Sequence, residues 1–238
     1  MLKSRLCIAF FAFAVGCAPA QKPLTDYVNP MLGTATLWDS VDLGFKPTKR
    51  TWGAEVFPGS SLPNAMVQVS PVTKFHSGAG YQYEDSVIYG FTHTNKGHWN
   101  LCHIPLLPVT GTPTPGDYCS PFSHERESAA PGYYQVFLDR YGVDAQLSST
   151  LRCAFHKYTY PAGAAASLLA DLQRSNEHVR AWDIRKEGDN VFAGWQQTGE
   201  KMYFYAVANR PVTGIEPVVE GDREVRIVRF GEGDGALE

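Results

Sequence analysis

The sequence predicts an all-β protein, a twisted antiparallel β-sandwich behind a loop-rich amino-terminal segment. Three observations predict it. Short runs of β-branched and aromatic residues recur between turns, with aromatics at 13% of the chain and 22 Gly and 16 Pro to make the turns. No stretch carries the apolar period of an amphipathic helix. No internal repeat, βαβ alternation or linker-like composition divides the chain, so its 238 residues hold one substantial antiparallel domain after a leader.

The leader comes first. Lys3 and Arg5 precede an apolar run from Leu6 to Val15 that is too short to span a bilayer as a helix, the pattern of an export signal. Residues 1–20 are therefore a signal peptide and residues 21–238 the sandwich domain. Two processing routes stand side by side. Ala14-Val15-Gly16-Cys17 has the form of a lipobox, with Cys17 as a lipidated first residue and an outer-membrane lipid anchor, whereas Ala18-Pro19-Ala20 suits ordinary signal peptidase. Either route places the protein outside the cytoplasm of a bacterium, in the periplasm or as an outer-membrane lipoprotein. Cys102, Cys119 and Cys153 remain, an odd count that permits at most one internal bridge.

From residue 21 to about residue 80, Asn29-Pro30, Lys46-Pro47, Phe57-Pro58-Gly59 and Leu62-Pro63-Asn64 interrupt every would-be helix, and only 65–70 has strand character. Strands are then expected at 87–91, 104–109, 133–138, 143–160, 167–172, 179–186, 190–196, 202–208 and 223–230. In the longest, Ala145, Leu147, Leu151, Cys153 and Phe155 share one parity and His156, Tyr158 and Tyr160 the other, which predicts a central strand between layers. The Ala-rich stretch 162–170 follows Pro161 and contains Gly163, so it reads as a turn entering a strand.

With 21 basic against 24 acidic residues the formal net charge is -3, which gives no basic field to hold nucleic acid. No P-loop, dinucleotide glycine motif or G-x-S-x-G elbow occurs. The densest polar chemistry lies at 91–103, with His93, Asn95, Lys96, His98, Trp99, Cys102 and His103. Zinc ligation by His93, His98, Cys102 and His103 is one reading, but neither C-x-x-C nor H-E-x-x-H is present, and neighbours on a strand point to opposite faces. A cysteine–histidine nucleophile pair has no evident orienting group. Structural packing of Cys102 with hydrogen-bonded histidines is a third reading, and a mixed apolar and polar sugar-binding lining a fourth. A second candidate, 51–59, sets the flat Trp52 beside Gly53, Glu55 and Gly59. Trp38, Trp182 and Trp195 are assigned to packing, and the carboxylates Asp39, Asp42, Glu55, Glu84, Asp85, Glu125 and Glu127 mostly to solvated loops.

Several motifs, in one order, resemble the amino-terminal domain of glycoside hydrolase family 92, exported bacterial α-mannosidases. They are Asp26-Tyr27-Val28-Asn29-Pro30-Met31-Leu32-Gly33-Thr34, Val56-Phe57-Pro58-Gly59, Met66-Val67-Gln68-Val69-Ser70-Pro71 and Gly80-Tyr81-Gln82-Tyr83. Gly90-Phe91-Thr92-His93-Thr94, Pro131-Gly132-Tyr133-Tyr134 and Phe155-His156-Lys157-Tyr158 continue the series to about Tyr160. The resemblance implies a galactose-mutarotase-like supersandwich whose loops complete an α-mannoside site. It also implies that a separate helical (α/α)6 domain, normally in the same polypeptide, carries the catalytic acid and base and binds calcium. The implied activity is calcium-dependent, inverting α-1,2-mannosidase action, with no catalytic residue in this chain. Its implied sugar contacts are Trp52, Gly53, Glu55, His93, Asn95, His98 and Trp99. Residues 95–99 stand where many members have a Ser- and Gly-rich turn; Lys96 there is either a solvated lysine or a contact for an anionic substituent. The alternative from another class is a stand-alone carbohydrate-binding or scaffold lipoprotein.

Overall fold

The computed structural model of the chain describes residues 22–36, 55–96, 99–233 and 235–238. The signal segment with Cys17 lies outside the described residues, as do Trp52, Gly53 and His98. After a short 3-10 turn at Leu24–Tyr27, the described chain is built of strands. The first eight are β1 (Ser60–Ser61), β2 (Gln68–Val72), β3 (Val87–Ile88), β4 (Gly90–Thr92), β5 (Asn95–Lys96), β6 (Trp99–Asn100), β7 (Leu106–Val109) and β8 (Ser120–Pro121). A 3-10 turn at His124–Arg126 leads into β9 (Glu127–Ala130), β10 (Tyr133–Leu138), β11 (Val143–Ser149) and β12 (Ala154–Thr159). The last six are β13 (Ser167–Ala170), β14 (Ala181–Gly188), β15 (Val191–Gln197), β16 (Lys201–Val207), β17 (Val212–Glu220) and β18 (Arg223–Phe230).

Every pairing among these strands is antiparallel. A seven-stranded sheet runs β1-β2-β4-β7-β13-β18-β17, a four-stranded sheet runs β12-β11-β10-β9, and a three-stranded sheet runs β14-β15-β16. One continuous core joins them. Tyr134, Val136 and Leu138 on β10 and Val143, Ala145 and Leu147 on β11 alternate inward with more exposed neighbours, the period-two pattern of a half-buried sheet. They pack with Phe91, Leu107, Leu169, Ile227 and Val228 of the large sheet. β13, in the interior of that sheet, is buried at all four positions.

Two expectations need correction. The run 143–160 is two strands, not one. Thr150 turns the chain: its amide donates to the Cys153 carbonyl at 2.8 Å and its hydroxyl accepts from the Cys153 amide at 3.1 Å. That hairpin makes β12 an edge strand, and Leu151, Cys153 and Phe155 are exposed instead of sharing the buried face of Ala145 and Leu147. The nine-residue β17, with Pro217 inside it, also lies outside the strands expected from sequence. Proline lacks a donor, and β17 tolerates it because it is the outermost strand of its sheet.

Candidate functional site

The segment expected to carry chemistry leaves β4, folds into the β5–β6 ribbon and returns to β7. In the ribbon, Asn95 pairs with Asn100 and Lys96 with Trp99. Alternation sends the two residues of β6 in opposite directions: Trp99 is 40% exposed, while Asn100 is buried. Asn100 accepts from the Cys102 amide at 2.8 Å through Oδ1 and donates to the Ala79 carbonyl at 3.2 Å through Nδ2. At Gly80, with φ +76, a Cβ would lie 2.6 Å from Asn100 Nδ2, so glycine there admits the buried amide.

Beyond the ribbon, Cys102 and Ile104 adopt left-handed backbone at φ 53 and φ 55, unfavourable for a β-branched residue and costing of order 1–3 kcal/mol each. Buried amides hold this shape. Ile104 N–H donates to Gln196 Oε1 at 2.8 Å, and Gln196 Nε2 donates to the carbonyls of Leu172 and Arg174 at 3.0 and 2.9 Å. Asn176 Nδ2 reaches the Asn100 carbonyl at 2.6 Å and the Ser77 carbonyl at 3.1 Å. Trp99 therefore projects from a ribbon whose inner residue, Asn100, is tied to the backbone at Gly78 and Ala79 and to Asn176.

The histidines of this segment part company. His103 is buried, with Nδ1 at 2.9 Å from Thr94 Oγ1 and Nε2 at 3.2 Å from both Glu177 and Thr198, and burial lowers its pKa against the pull of Glu177. Cys102 packs with Val72 and Phe75, and burial pushes its thiol up to about 12. A thiol so far from ionisation is a poor nucleophile, and the partners of His103 do not include it. Among the described residues no three His, Cys, Asp or Glu side chains converge as a metal-holding set.

His93 enters a different arrangement. Its Nδ1 lies 2.9 Å from the Ile104 carbonyl, its Nε2 3.0 Å from His156 Nε2, and His156 Nδ1 2.6 Å from the Tyr158 hydroxyl. A carbonyl only accepts, so Nδ1 of His93 carries the proton and Nε2 accepts. The order follows without remainder: Tyr158 donates to His156, His156 to His93, and His93 to Ile104. Both rings are neutral. Burial takes His93 down to about 4, and burial followed by the neighbouring His93 takes His156 well below its ordinary value.

This chain of groups lines a cleft of about 470 Å³. Ile104, Leu106, Leu168, Phe192 and Phe230 contribute its apolar wall, while Phe155, Tyr203, Tyr205 and Val207, all more than half exposed, line it from β12 and β16. The cleft includes neither Trp99 nor Glu55. Of the sequence-predicted contacts, then, His93 faces this cleft with both nitrogens engaged, Trp99 stands out from the ribbon, Asn95 lies beside it in the ribbon backbone, and Glu55 is exposed upstream of β1. Trp182 packs against the core with Arg226 5.3 Å from its ring, Lys201 lies 3.5 Å over the Trp195 ring, and Trp38 lies outside the described residues.

Sequence reasoning missed one polar centre altogether. Glu127, grouped above with carboxylates mostly in solvated loops, is buried at the start of β9. It accepts from the hydroxyls of Tyr81 at 2.9 and 3.0 Å and Tyr134 at 2.6 Å, and His124 Nδ1 sits 2.5 Å away. Burial, then the Glu127 charge, raises both tyrosines. The motifs holding Tyr81 and Tyr134 were visible in the sequence; their convergence on Glu127 was not.

Residues 27–232 match the profile described as the Glycosyl hydrolase family 92 N-terminal domain. Among solved structures, a family GH92 α-mannosidase of Bacteroides thetaiotaomicron in complex with mannoimidazole is 25% identical, with a TM-score of 0.75 over 91% of this chain and 32% of that one. A GH92 inverting mannosidase from Bacteroides thetaiotaomicron VPI-5482 is 22% identical with a TM-score of 0.71, over 91% of this chain and 31% of its own, and shares the fold. The chain thus spans about a third of the length of the structures it matches. No curated protein matches it. Among the described residues no helix is long and apolar enough to cross a membrane.

Proposed function

Because the chain belongs to glycoside hydrolase family 92, matched over residues 27–232 as its amino-terminal domain, we propose that it supplies the sandwich half of an exo-α-mannosidase site. The observation that carries the reading is the braced β5–β6 ribbon, which presents Trp99 to solvent from a base of buried amides. An indole on a fixed support gives an apolar platform for a sugar face at little entropic cost. Trp52, Gly53, Glu55, Asn95 and His98 join Trp99 as contacts, and His93 positions the start of the ribbon from below, its nitrogens being occupied. The ligand is an α-mannoside glycan.

The acid, the base and the calcium ion belong, in this reading, to a helical domain in the same polypeptide. Calcium asks for six to eight oxygen ligands, and the described residues offer no converging carboxylate set, so none of the described residues is assigned to it. The chain's own part is to bind and orient the sugar. The protein is exported, with Cys17 as its lipid-bearing residue; labelled palmitate should enter the native protein and not Cys17→Ser, and equal labelling would remove the anchor.

Isothermal titration with α-mannosides tests the sugar site. Trp52→Ala and Trp99→Ala should each weaken binding by about 1–3 kcal/mol. Unchanged affinity in both variants overturns the platform, and calcium-dependent release of mannose by residues 21–238 alone overturns the division of labour.

A further inference from the structure

Two outermost strands, β12 and β16, line the cleft. β12 ends the four-stranded sheet and β16 ends the three-stranded sheet; each has one ladder neighbour, and they do not pair with each other. Open edges beside an apolar wall are a liability that folded proteins normally cover. The exposed apolar residues along the opening, Met66, Phe155, Tyr203, Tyr205 and Val207, form the rim of that gap.

One residue already sits in it. Leu237, buried, pairs with Tyr158 through both backbone bonds, at 2.8 and 2.9 Å, and Glu238 lies opposite Lys157 with their side chains 3.4 Å apart. This is the start of an antiparallel ladder on β12. Because backbone groups alternate in direction along a strand, the outward bonds of Tyr158 mean that His156 and Ala154 also point their N–H and C=O groups into the gap.

We propose that this cleft is a strand-acceptor groove. An extended segment of the further chain that GH92 enzymes carry beyond the third matched here adds to β12 in the register set by Leu237. The inference rests on the reading of the chain as one domain of a larger enzyme. The register fixes what the strand presents. Positions opposite His156 and Ala154 face inward and take small or apolar side chains, and the position between them, opposite Phe155, lies outward near Tyr203 and Tyr205. Backbone bonds supply affinity and the alternating pockets supply selectivity. With β16 on its other side, the added strand joins the four-stranded and three-stranded sheets into one layer facing the seven-stranded sheet.

Amide hydrogen exchange on the full gene product and on residues 21–238 tests this. The Ala154 and His156 amides should exchange freely in the shorter protein and at least about tenfold more slowly in the full product, with β10 equally protected in both as the folding control. Equal exchange at Ala154 and His156 in the two proteins overturns the proposal. So does protection in the shorter protein that grows with concentration alongside dimer formation in sedimentation, which assigns the groove to a second copy. Sugar affinity is read separately by titration, so loss of the mannoside reading leaves this outcome distinguishable.

Discussion

The His93–His156–Tyr158 chain and the Glu127 centre are two partly buried clusters that both join histidine to tyrosine, and they differ in how the hydrogen bonds are arranged. At Glu127 the donors converge: two tyrosine hydroxyls and His124 Nδ1 face one carboxylate, and His124 Nε2 points 2.7 Å from the Tyr83 carbonyl. Both nitrogens of His124 therefore lie against oxygens, and three side chains gather around one carboxyl group. At His93 the donors run in single file and no group is charged. Burial favours the neutral form where no counter-charge is present, as at His93 and His156, whereas a buried carboxyl group needs several hydrogen-bond partners, as Glu127 has.

The comparison can be broken most sharply at Glu127. Glu127→Ala strands two tyrosine hydroxyls and a histidine without their acceptor, and urea unfolding should show a loss of about 3 kcal/mol or more. A change below about 0.5 kcal/mol would show that the centre contributes nothing to stability. His156→Phe should cost about 1–3 kcal/mol, because it leaves Tyr158 and His93 Nε2 unpaired next to an apolar cleft.

Acid sharpens the contrast. His93, His156 and His103 all have folded pKa values below the unfolded value, so between about pH 6.5 and pH 4 the unfolded chain binds protons that the folded chain does not. Stability should therefore fall as pH drops through that window, and His156→Phe should flatten the slope relative to the native protein in denaturation at pH 7 and pH 5. An unchanged slope would contradict the neutral single-file arrangement. The smallest effect is expected at the sugar platform: Trp99→Ala, on the exposed side of the ribbon, should alter unfolding free energy by less than about 0.5 kcal/mol while weakening mannoside binding.

Much of the fold could be read from the sequence because local pattern and burial agree. β10 and β18 occupy the residues expected, since each carries an uninterrupted strand pattern between turns. The failures share a cause in long-range geometry. Nothing local says that Pro217 will fall on an outermost strand, or that Thr150 will turn the chain and bring His156 to the edge facing His93, 63 residues earlier. The ribbon residues were identifiable as a polar cluster. Their division into an outward Trp99, an inward Asn100 and a His93 already engaged depends on which strand pairs with which.

The neutral histidine pair also gives the molecule a spectroscopic beacon. A proton held between two half-buried imidazole nitrogens 3.0 Å apart gives a nitrogen-coupled NMR resonance far downfield of the amide envelope, and it persists only while both rings stay in register. Because His156 belongs to the open edge of β12 and His93 to the seven-stranded side, that one signal reports whether the two layers of the sandwich are clasped at the cleft.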